Sequence, residues 1–438
     1  MTTLVWFRAD LRLTDNPALA AAALRGPVMP VYVWAPEEEG AWPAGAASRW
    51  WIHHSLVALE RELARHGLPL VIRRGPAGAA LAGLMGETGA DAVFWNRRYE
   101  PAAIARDGDV KRALPGAQSF NGALLHEPWT VATGAGTPYR VFTPFWRALQ
   151  TMGSPHTPLP APRLTAPPHR PPSLRPEDLG LLPDVTWDAG LAECWNPGEA
   201  GAAEALDGFC GRARRYADDR DQPARTSSRL SPHLHHGELS PRQVWHAVSD
   251  SAGAAAEPYL RQLAWREFAH HLLYHHPASA EHPLSPGFAS MPWRDDPAAL
   301  AAWQQGRTGY ALVDAGMRQL WETGWMHNRV RMVAASFLTK HLLIDWREGA
   351  RWFWDTLVDA DLANNTLGWQ WVAGSGADAA PYHRIFSPER QAQRYDADGG
   401  YRDRWLDGRE PPPPIVDHAL ARERALAAYG AVRPAGSG

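Results

Sequence analysis

The sequence is poor in cysteine, in long apolar runs and in net charge. Its 438 residues include only two cysteines, which excludes a disulfide framework and a cluster held by four thiolates. Few cysteines are also typical of a reducing compartment, and we expect a cytoplasmic protein. No apolar run approaches the roughly 18 residues of a membrane span, and no signal peptide is predicted. The net charge of −3 gives no bulk affinity for nucleic acid, so such binding would need a local basic patch.

Signatures of nucleotide hydrolysis and metal binding are lacking as well. No phosphate loop and no Gly-x-Gly-x-x-Gly follows a predicted strand, which argues against nucleotide hydrolases and Rossmann dehydrogenases. Segment 374–376 (Gly-Ser-Gly) lacks the nucleophile elbow of serine hydrolases. His270, His271, His275 and His276 resemble metal ligands in their spacing, but the carboxylate of a zinc-protease motif is missing. We interpret these histidines as a helix surface and expect no metal.

The N-terminal part alternates short apolar runs with helical periods. Predicted strands lie near 4–7, 28–34, 70–72 and 92–95, and predicted helices near 18–24, 48–66 and 77–88. This alternation predicts βαβ units and a parallel sheet, which we place in a domain at 1–130. Ten prolines between 153 and 183 predict an extended connector instead of regular structure, and we place it at 131–195.

From about 196 onward the pattern becomes helical. Helices are predicted near 202–218, 241–249, 258–276, 298–304, 313–323, 326–341, 346–357 and 416–429. They predict a large all-α domain at 196–430, followed by a short tail at 431–438.

Segment 359–371 concentrates two carboxylates, two asparagines and two tryptophans, in a chain with 22 tryptophans. On one predicted helix, Asn365 and Trp369 share a face, whereas about 200° separates Trp369 from Trp371. This phase predicts one ring beside whatever Asn365 holds and the other ring on a different surface.

Three other groups contain residue types that suit a binding site. Tyr216 and the run 227–231 offer hydroxyls and an Arg near a helix start, which suits phosphates, although an N-cap with a turn also explains them. Segment 325–332 carries Asn328 and two Arg, which fit either a site or a solvated amphipathic helix. Trp265 and Trp371 would suit stacking on a flat ligand, although a lone Trp in a helix is more often core.

Taken together, the motifs resemble those of the photolyase/cryptochrome family, most closely its class I cyclobutane pyrimidine dimer photolyases. The resemblance runs from Trp-Phe-Arg-Ala-Asp-Leu-Arg-Leu-Thr-Asp-Asn at 6–16 to about Tyr429. It implies an α/β antenna domain with a parallel, five-stranded, Rossmann-like sheet, a connector and an all-α FAD-binding domain. This layout agrees with the one predicted from the residue patterns.

The resemblance implies non-covalent FAD, active as FADH⁻. Arg331 matches the residue that pairs with Asp359, and Asn365 matches the residue that faces flavin N5. An amide there can donate to N5 or accept from N5–H. The positions that match the family's cofactor site are Tyr216, Ser227, Ser228, Arg229, Leu230, Ser231, Arg331, Asp359, Ala360, Asp361 and Asn365.

The resemblance also implies light-driven electron transfer from excited reduced FAD to a flipped-out pyrimidine dimer in UV-damaged DNA, single- or double-stranded. Trp369, Trp346 and Trp293 match the electron path from flavin to surface. We further expect a monomer and a basic rim formed by the Arg residues at 225, 229, 329, 384 and 402. The positions that match the lesion pocket are Gln262, Trp265, Asn328, Arg329, Met332 and Trp371.

The chain departs from the family pattern at three of these motifs. Gln262 stands where many class I members carry Glu, and His383 and Ser387 replace commoner Phe and Asn. We expect repair to persist with altered efficiency, because Gln can hydrogen-bond a dimer but cannot change charge. Pro-Ala-Ala at 101–103 disfavours folate in the usual antenna site, so a deazaflavin near Trp34 and Arg49, or no antenna, is expected.

Two related functions stay open. A (6-4) photolyase usually shows a His-His pair where this chain has His327 and Asn328. A cryptochrome-type blue-light receptor often carries a long C-terminal extension, whereas 431–438 is all that follows the last predicted helix. Repair of cyclobutane dimers is therefore the function we expect.

Overall fold

The computed structural model describes residues 1–225, 227–379 and 381–432. Within those ranges one parallel sheet has the strand order β3-β2-β1-β4-β5, and Val5 of the central strand pairs with Pro30 on one side and Phe94 on the other. The strands are Thr3–Phe7 (β1), Val28–Trp34 (β2), Val71–Arg74 (β3), Ala92–Asn96 (β4) and Gln118–Phe120 (β5). The parallel sheet is the fold predicted from the alternating pattern.

The central strands β1, β2 and β4 are buried along their whole length. Continuous burial is typical of a parallel sheet that is covered on both faces, and it explains the unbroken apolar runs in the sequence. The first covering helix begins at Pro17 because Asn16 accepts a hydrogen bond from Leu19 N (3.0 Å) and Pro suits the first turn.

Helices make up most of the remaining described chain. They are Pro17–Arg25 (α1), Ala46–Arg65 (α2), Ala77–Thr88 (α3), Pro101–Ala113 (α4), Phe142–Thr151 (α5), Ala189–Cys194 (α6), Glu199–Cys210 (α7), Tyr216–Asp219 (α8), Ser231–His235 (α9), Pro241–Ala252 (α10), Glu257–His275 (α11), Pro297–Gln304 (α12), Ala311–Thr323 (α13), Asn328–Ser336 (α14), Trp346–Thr356 (α15), Leu362–Ala373 (α16), Pro388–Tyr395 (α17), Gly400–Leu406 (α18) and His418–Val432 (α19). In the part of the chain that is described, none is long and apolar enough to cross a membrane.

Several predicted elements need correction. The predicted helix at 202–218 is interrupted, since α7 ends at Cys210 and the short α8 begins at Tyr216. The helix predicted at 326–341 begins at Asn328 and ends as a π-helical turn, Phe337–His341. The expected connector also contains α5 and α6, although 153–175 has no helix or ladder strand and only a bridge from Leu174 to Ile72.

The division into domains at 130 and 195 stays a prediction. Of the expected tail at 431–438, the first two residues belong to α19, and 433–438 lie outside the described residues.

A buried carboxylate joins the sheet part to the helices. Glu238 is fully buried and accepts hydrogen bonds from Trp51 Nε1 on α2 (2.9 Å) and Gly198 N (2.6 Å). It also accepts from Ser55 Oγ on α2 and contacts His233 Nδ1 on α9. Burial of an ionisable group requires such partners, so this contact fixes α2 and α9 relative to each other.

Candidate functional site

A cavity of about 560 Å³ lies among α8, α9, α11, α14, α16 and the segments that precede them. All six predicted lesion-pocket residues and Trp369 line it, as do the predicted cofactor residues except Leu230. Leu230 is fully buried in an apolar cluster with Leu234 and Val244. The sequence motifs, which span 156 positions from Tyr216 to Trp371, therefore meet at one place.

One end of the cavity is rich in hydroxyl groups. Tyr216, Ser227, Ser228 and Ser231 line it there. The start of α9 has no side-chain cap, and Ser231 Oγ instead donates to Asp359 Oδ2 at 2.6 Å. The explanation of segment 227–231 as an N-cap is therefore wrong. Its serine hydroxyls can bond a ligand or, as Ser231 does, the Asp359 carboxylate.

Arg229 adds a fixed cation to the same end. Its backbone has φ of +54°, a left-handed conformation that is uncommon for a residue with a side chain and concentrates at functional sites. The guanidinium carbon lies 4.0 Å from the Trp195 ring centroid, which holds it by a cation–π contact. Burial lowers the pKa of Arg229, but a guanidinium group stays charged at neutral pH.

Arg331 and Asp359 form the ion pair that the sequence predicted. Arg331 donates to Asp359 Oδ2 at 2.9 Å and to Met326 O at 2.7 Å. Asp359 Oδ1 is buried with no hydrogen-bond partner among the described residues, which is costly for a carboxylate oxygen. Ala360 is buried beside it and also lines the cavity.

Asp361 is the N-cap of α16 instead of lying within a helix. Its Oδ1 accepts from Asn364 N (2.9 Å) and Asn364 Nδ2 (2.6 Å), so the helix that carries Asn365, Trp369 and Trp371 begins at Leu362. Asp361 Oδ2 lies 3.5 Å from both His235 Nδ1 and His270 Nε2. Burial alone would raise the pKa of Asp361, but the charges and hydrogen bonds of these two histidines hold it well below its usual range.

The histidines of α11 do not form the helix surface that we expected. His270 and His271 are buried, and His270 Nδ1 lies 2.9 Å from Arg266 O while its other nitrogen faces Asp361. Burial would lower the pKa of His270, but Asp361 raises it above the ordinary value. Within the described ranges no cluster of possible metal ligands occurs. His235 and His270 thus form a pair of imidazoles beside Asp361 that sequence reasoning missed.

Asn365, Trp369 and Trp371 all lie on α16. Asn365 Nδ2 donates to Ala350 O at 3.1 Å, which fixes the orientation of its amide. Trp369 is 2% exposed and Trp371 is partly exposed, and both residues line the same cavity. The placement of the two rings on separate surfaces stays a prediction.

The predicted electron-path tryptophans share one core cluster. Trp346 is buried in the cluster that contains Trp369, and the partly buried Trp293 packs against that cluster. The ring contacts of Trp369 are made by Phe353 (5.0 Å between centroids) and Trp303 (6.2 Å). Trp303 is fully buried and was missed, because a single tryptophan in a helix carries no sequence signal beyond that of core.

Gln262 and Trp265 lie on α11. Gln262 Nε2 donates to Pro258 O at 3.2 Å, one turn earlier in the same helix. Trp265 is partly exposed and stacks on Phe142 of α5 with 3.8 Å between ring centroids and an angle of 8°. One face of the indole is thus covered by protein.

The predicted residues of α14 line the cavity together with Arg331. Asn328 is exposed, whereas Arg329 pairs with Asp221 at 2.6 Å and lies 4.0 Å from Met332 Sδ. Arg329 lines the cavity as the family motif implied. These polar groups make the wall beside α14 suited to a polar ligand.

Two groups of predicted residues lie elsewhere. Arg402 of the expected basic rim is bound to the buried Asp396 at 2.8 Å and is outside the cavity lining. Trp34 is 9% exposed at the end of β2, and Arg49 is exposed on α2; neither lines the cavity. Ser387, one of the departures, accepts from Arg390 N and caps α17.

Comparison with known proteins identifies similar chains over the full length. A family model described as DNA photolyase matches residues 3–163, and one described as FAD binding domain of DNA photolyase matches 259–410. A deoxyribodipyrimidine photo-lyase of Agrobacterium fabrum is 48% identical, with 98% of each chain covered. Cryptochrome-1 of Arabidopsis thaliana is 40% identical over 92% of this chain and 62% of its own length.

A solved structure is similar to the same extent. A bacterial class III photolyase from Agrobacterium tumefaciens superposes with a TM-score of 0.94 at 47% identity, covering 98% of this chain and 97% of that one. The expectation that the chain lies nearest the class I branch is wrong, since this neighbour is described as class III.

Proposed function

The chain belongs to the photolyase/cryptochrome family, and on that premise we propose that it repairs cyclobutane pyrimidine dimers in UV-damaged DNA under light. The observation that carries this proposal is the meeting of the predicted cofactor residues and all six predicted lesion residues around one cavity. A flavin and a lesion held by these walls would lie close enough for electron transfer.

The residues at the cavity fit non-covalent FAD. Tyr216, Ser227 and Ser228 would hold the phosphates by their hydroxyls, with the Arg229 guanidinium adding positive charge. Asp359, with one buried oxygen unpaired among the described residues, fits a polar cofactor group. Bound in its reduced form, FAD would supply the light absorption and the electron that splits the cyclobutane ring.

Asn365 would hold the proton-bearing edge of the flavin. One N–H of its Nδ2 is donated to Ala350 O, and its carbonyl oxygen would accept a hydrogen bond, as a reduced ring nitrogen requires. Asp361 is kept ionised by His235 and His270 and would accept from a second polar group of the cofactor.

Trp265 and Trp371 would stack on a dimer that has left the helix, and Gln262 would hydrogen-bond it. Extrusion is needed because a cofactor inside the cavity cannot reach stacked bases, and a damaged step costs less to open. Bulk charge does not attract DNA, so Arg225 and Arg384, both exposed, would supply local phosphate contacts.

We also propose the roles that the sequence suggested for the rest of the chain. Trp369, Trp346 and Trp293 would carry electrons to the flavin from the surface, consistent with their shared cluster. The protein would act as a cytoplasmic monomer, with 1–130 and 196–430 as its functional halves. An antenna, if present, would be a deazaflavin near Trp34 and Arg49 in preference to folate.

A blue-light receptor function is the second candidate, favoured by the similarity to a plant cryptochrome. A (6-4) photolyase fits less well. His327 is 2% exposed, and its Nδ1 accepts from Arg329 N as the N-cap of α14, which leaves it poorly placed for proton exchange with a lesion. Burial, with the charge of Arg329, lowers its pKa to about 4, so it would be neutral at physiological pH.

Repair under blue light tests these alternatives. The purified protein with reduced flavin should restore a thymine-dimer oligonucleotide and leave a (6-4) oligonucleotide unchanged. A Trp265→Ala variant should retain flavin and lose affinity for the dimer, because stacking is worth about 1–3 kcal/mol per base. Clean flavin photoreduction without repair of either lesion would favour the receptor.

A further inference from the structure

The wall of the lesion pocket formed by Trp265 is backed by a second aromatic ring. The Phe142 ring lies 3.8 Å from the Trp265 ring at an interplanar angle of 8°, and the Arg261 guanidinium carbon lies 5.4 Å from the Phe142 ring centroid. Phe142 is only 2% exposed, so it reaches a ligand through Trp265 alone. A parallel ring at this distance restricts tilting of the indole and keeps water from its covered face.

The same phenylalanine is bonded to the segment that follows the helix of Trp371. Phe142 is the first residue of α5, whose N-cap, Val141, offers no side-chain acceptor. Its free N–H is satisfied by Asp378 Oδ2 at 3.1 Å, from the segment that follows α16 and hence Trp371. Asp378 has φ of +50°, a left-handed conformation that Asp adopts more readily than most residues with a side chain. Phe142 therefore bonds to the segment that follows the helix of Trp371 and stacks on Trp265.

We propose that Phe142 is a positioning residue that sets the orientation of Trp265 and its spacing from Trp371 for a stacked dimer. The inference rests on the proposed repair function and adds to it a residue outside the cavity that determines affinity for the lesion. Because Phe142 touches no cavity-lining cofactor residue in the described contacts, it acts on binding of the dimer and leaves the electron-transfer step unchanged.

The test compares Phe142→Leu with Phe145→Leu in the flavin-loaded protein. Phe145 is equally buried on the same helix and contacts Phe268 and His271 instead of Trp265. Phe142→Leu should raise the Kd for a dimer-containing oligonucleotide about fivefold, the effect of losing one aromatic stack. Repair per absorbed photon at saturating DNA, and the flavin absorption spectrum, should not change. Phe142→Tyr should restore the affinity, and Phe145→Leu should leave it as in the unsubstituted protein.

Two further variants keep the test decisive if Phe142→Leu folds poorly. Asp378→Gly removes the carboxylate while tolerating the positive φ, and should raise the Kd about twofold, as for a loosened hydrogen bond. In a Trp265→Leu background, Phe142→Leu should add no further loss, because both act through one ring. Equal losses from Phe142→Leu and Phe145→Leu, or additive losses with Trp265→Leu, would overturn the positioning role. Absence of repair by the unsubstituted protein would instead refute the proposed function.

Discussion

Replacing Asp359 by Asn removes the negative charge that holds Arg331 beside the cavity. The Asp359 side chain is 4% exposed and that of Arg331 is 23% exposed, so the pair is largely shielded from water. Loss of one partner from a buried pair costs about 3–5 kcal/mol, chiefly because the remaining charge is left uncompensated. Arg331 keeps its bond to Met326 O and some contact with solvent, so we expect a loss just below that range, about 2–3 kcal/mol.

Urea unfolding followed by circular dichroism at saturating FAD would measure this loss, and flavin absorbance per protein would measure cofactor retention. Glu348→Gln is the matched control, since its pair with Arg351 is 3.4 Å long and exposed, and such pairs contribute roughly 0–1 kcal/mol. Asp359→Asn should also release flavin more readily, because the charged acceptor shared by Ser231 and Arg331 becomes a neutral amide. A variant as stable and as flavin-rich as Glu348→Gln would refute the role given to this pair.

Three other predictions follow from the same structure. Gln262→Glu should introduce a pH dependence into dimer repair that the unsubstituted protein lacks, because only the carboxylate titrates; matching pH profiles would contradict this. Trp346→Phe should slow photoreduction of oxidised flavin in transient absorption while repair by pre-reduced protein persists; unchanged photoreduction would remove Trp346 from the path. Acid should destabilise the fold between about pH 6.5 and 4. Burial holds the pKa of His327 at about 4 in the folded protein, so in this pH range the unfolded chain binds one more proton, and the free energy of unfolding falls as the pH falls, by up to about 3 kcal/mol. His327→Gln should flatten the dependence of the urea midpoint on pH.

Much of the fold was predictable because local signals and burial agree. The β2 strand and the α3 helix have the predicted bounds, since each is a pure apolar or helical run with a turn on either side. The α5 helix was missed because proline usually breaks helices. Pro144 lies in the first turn, where a backbone N–H has no partner within the helix, so the lack of an N–H costs nothing there. A fixed rule for proline thus fails where position within the helix decides its effect.

The site was predictable where motifs are dense and unpredictable where it depends on packing. The cavity lining gathers Asn365 and Trp265 as the motifs implied. The partnership of Asp361 with His235 and His270 could not be predicted, because 91 residues separate Asp361 from the second histidine and only the packing of α11 against α16 brings them together.

The buried Glu238 makes the order of synthesis relevant to when the site can form. Its donor Trp51 is 187 residues earlier in the chain, so at about 5–20 residues per second α2 waits roughly 10–40 s for its acceptor. A fragment that begins at 196 would keep Gly198 and His233 but would bury Glu238 without the two donors of α2. The α9 helix, which carries Ser231, would then lose its contact with α2. We therefore expect flavin to bind late, after synthesis, and only when the N-terminal part of the chain is present.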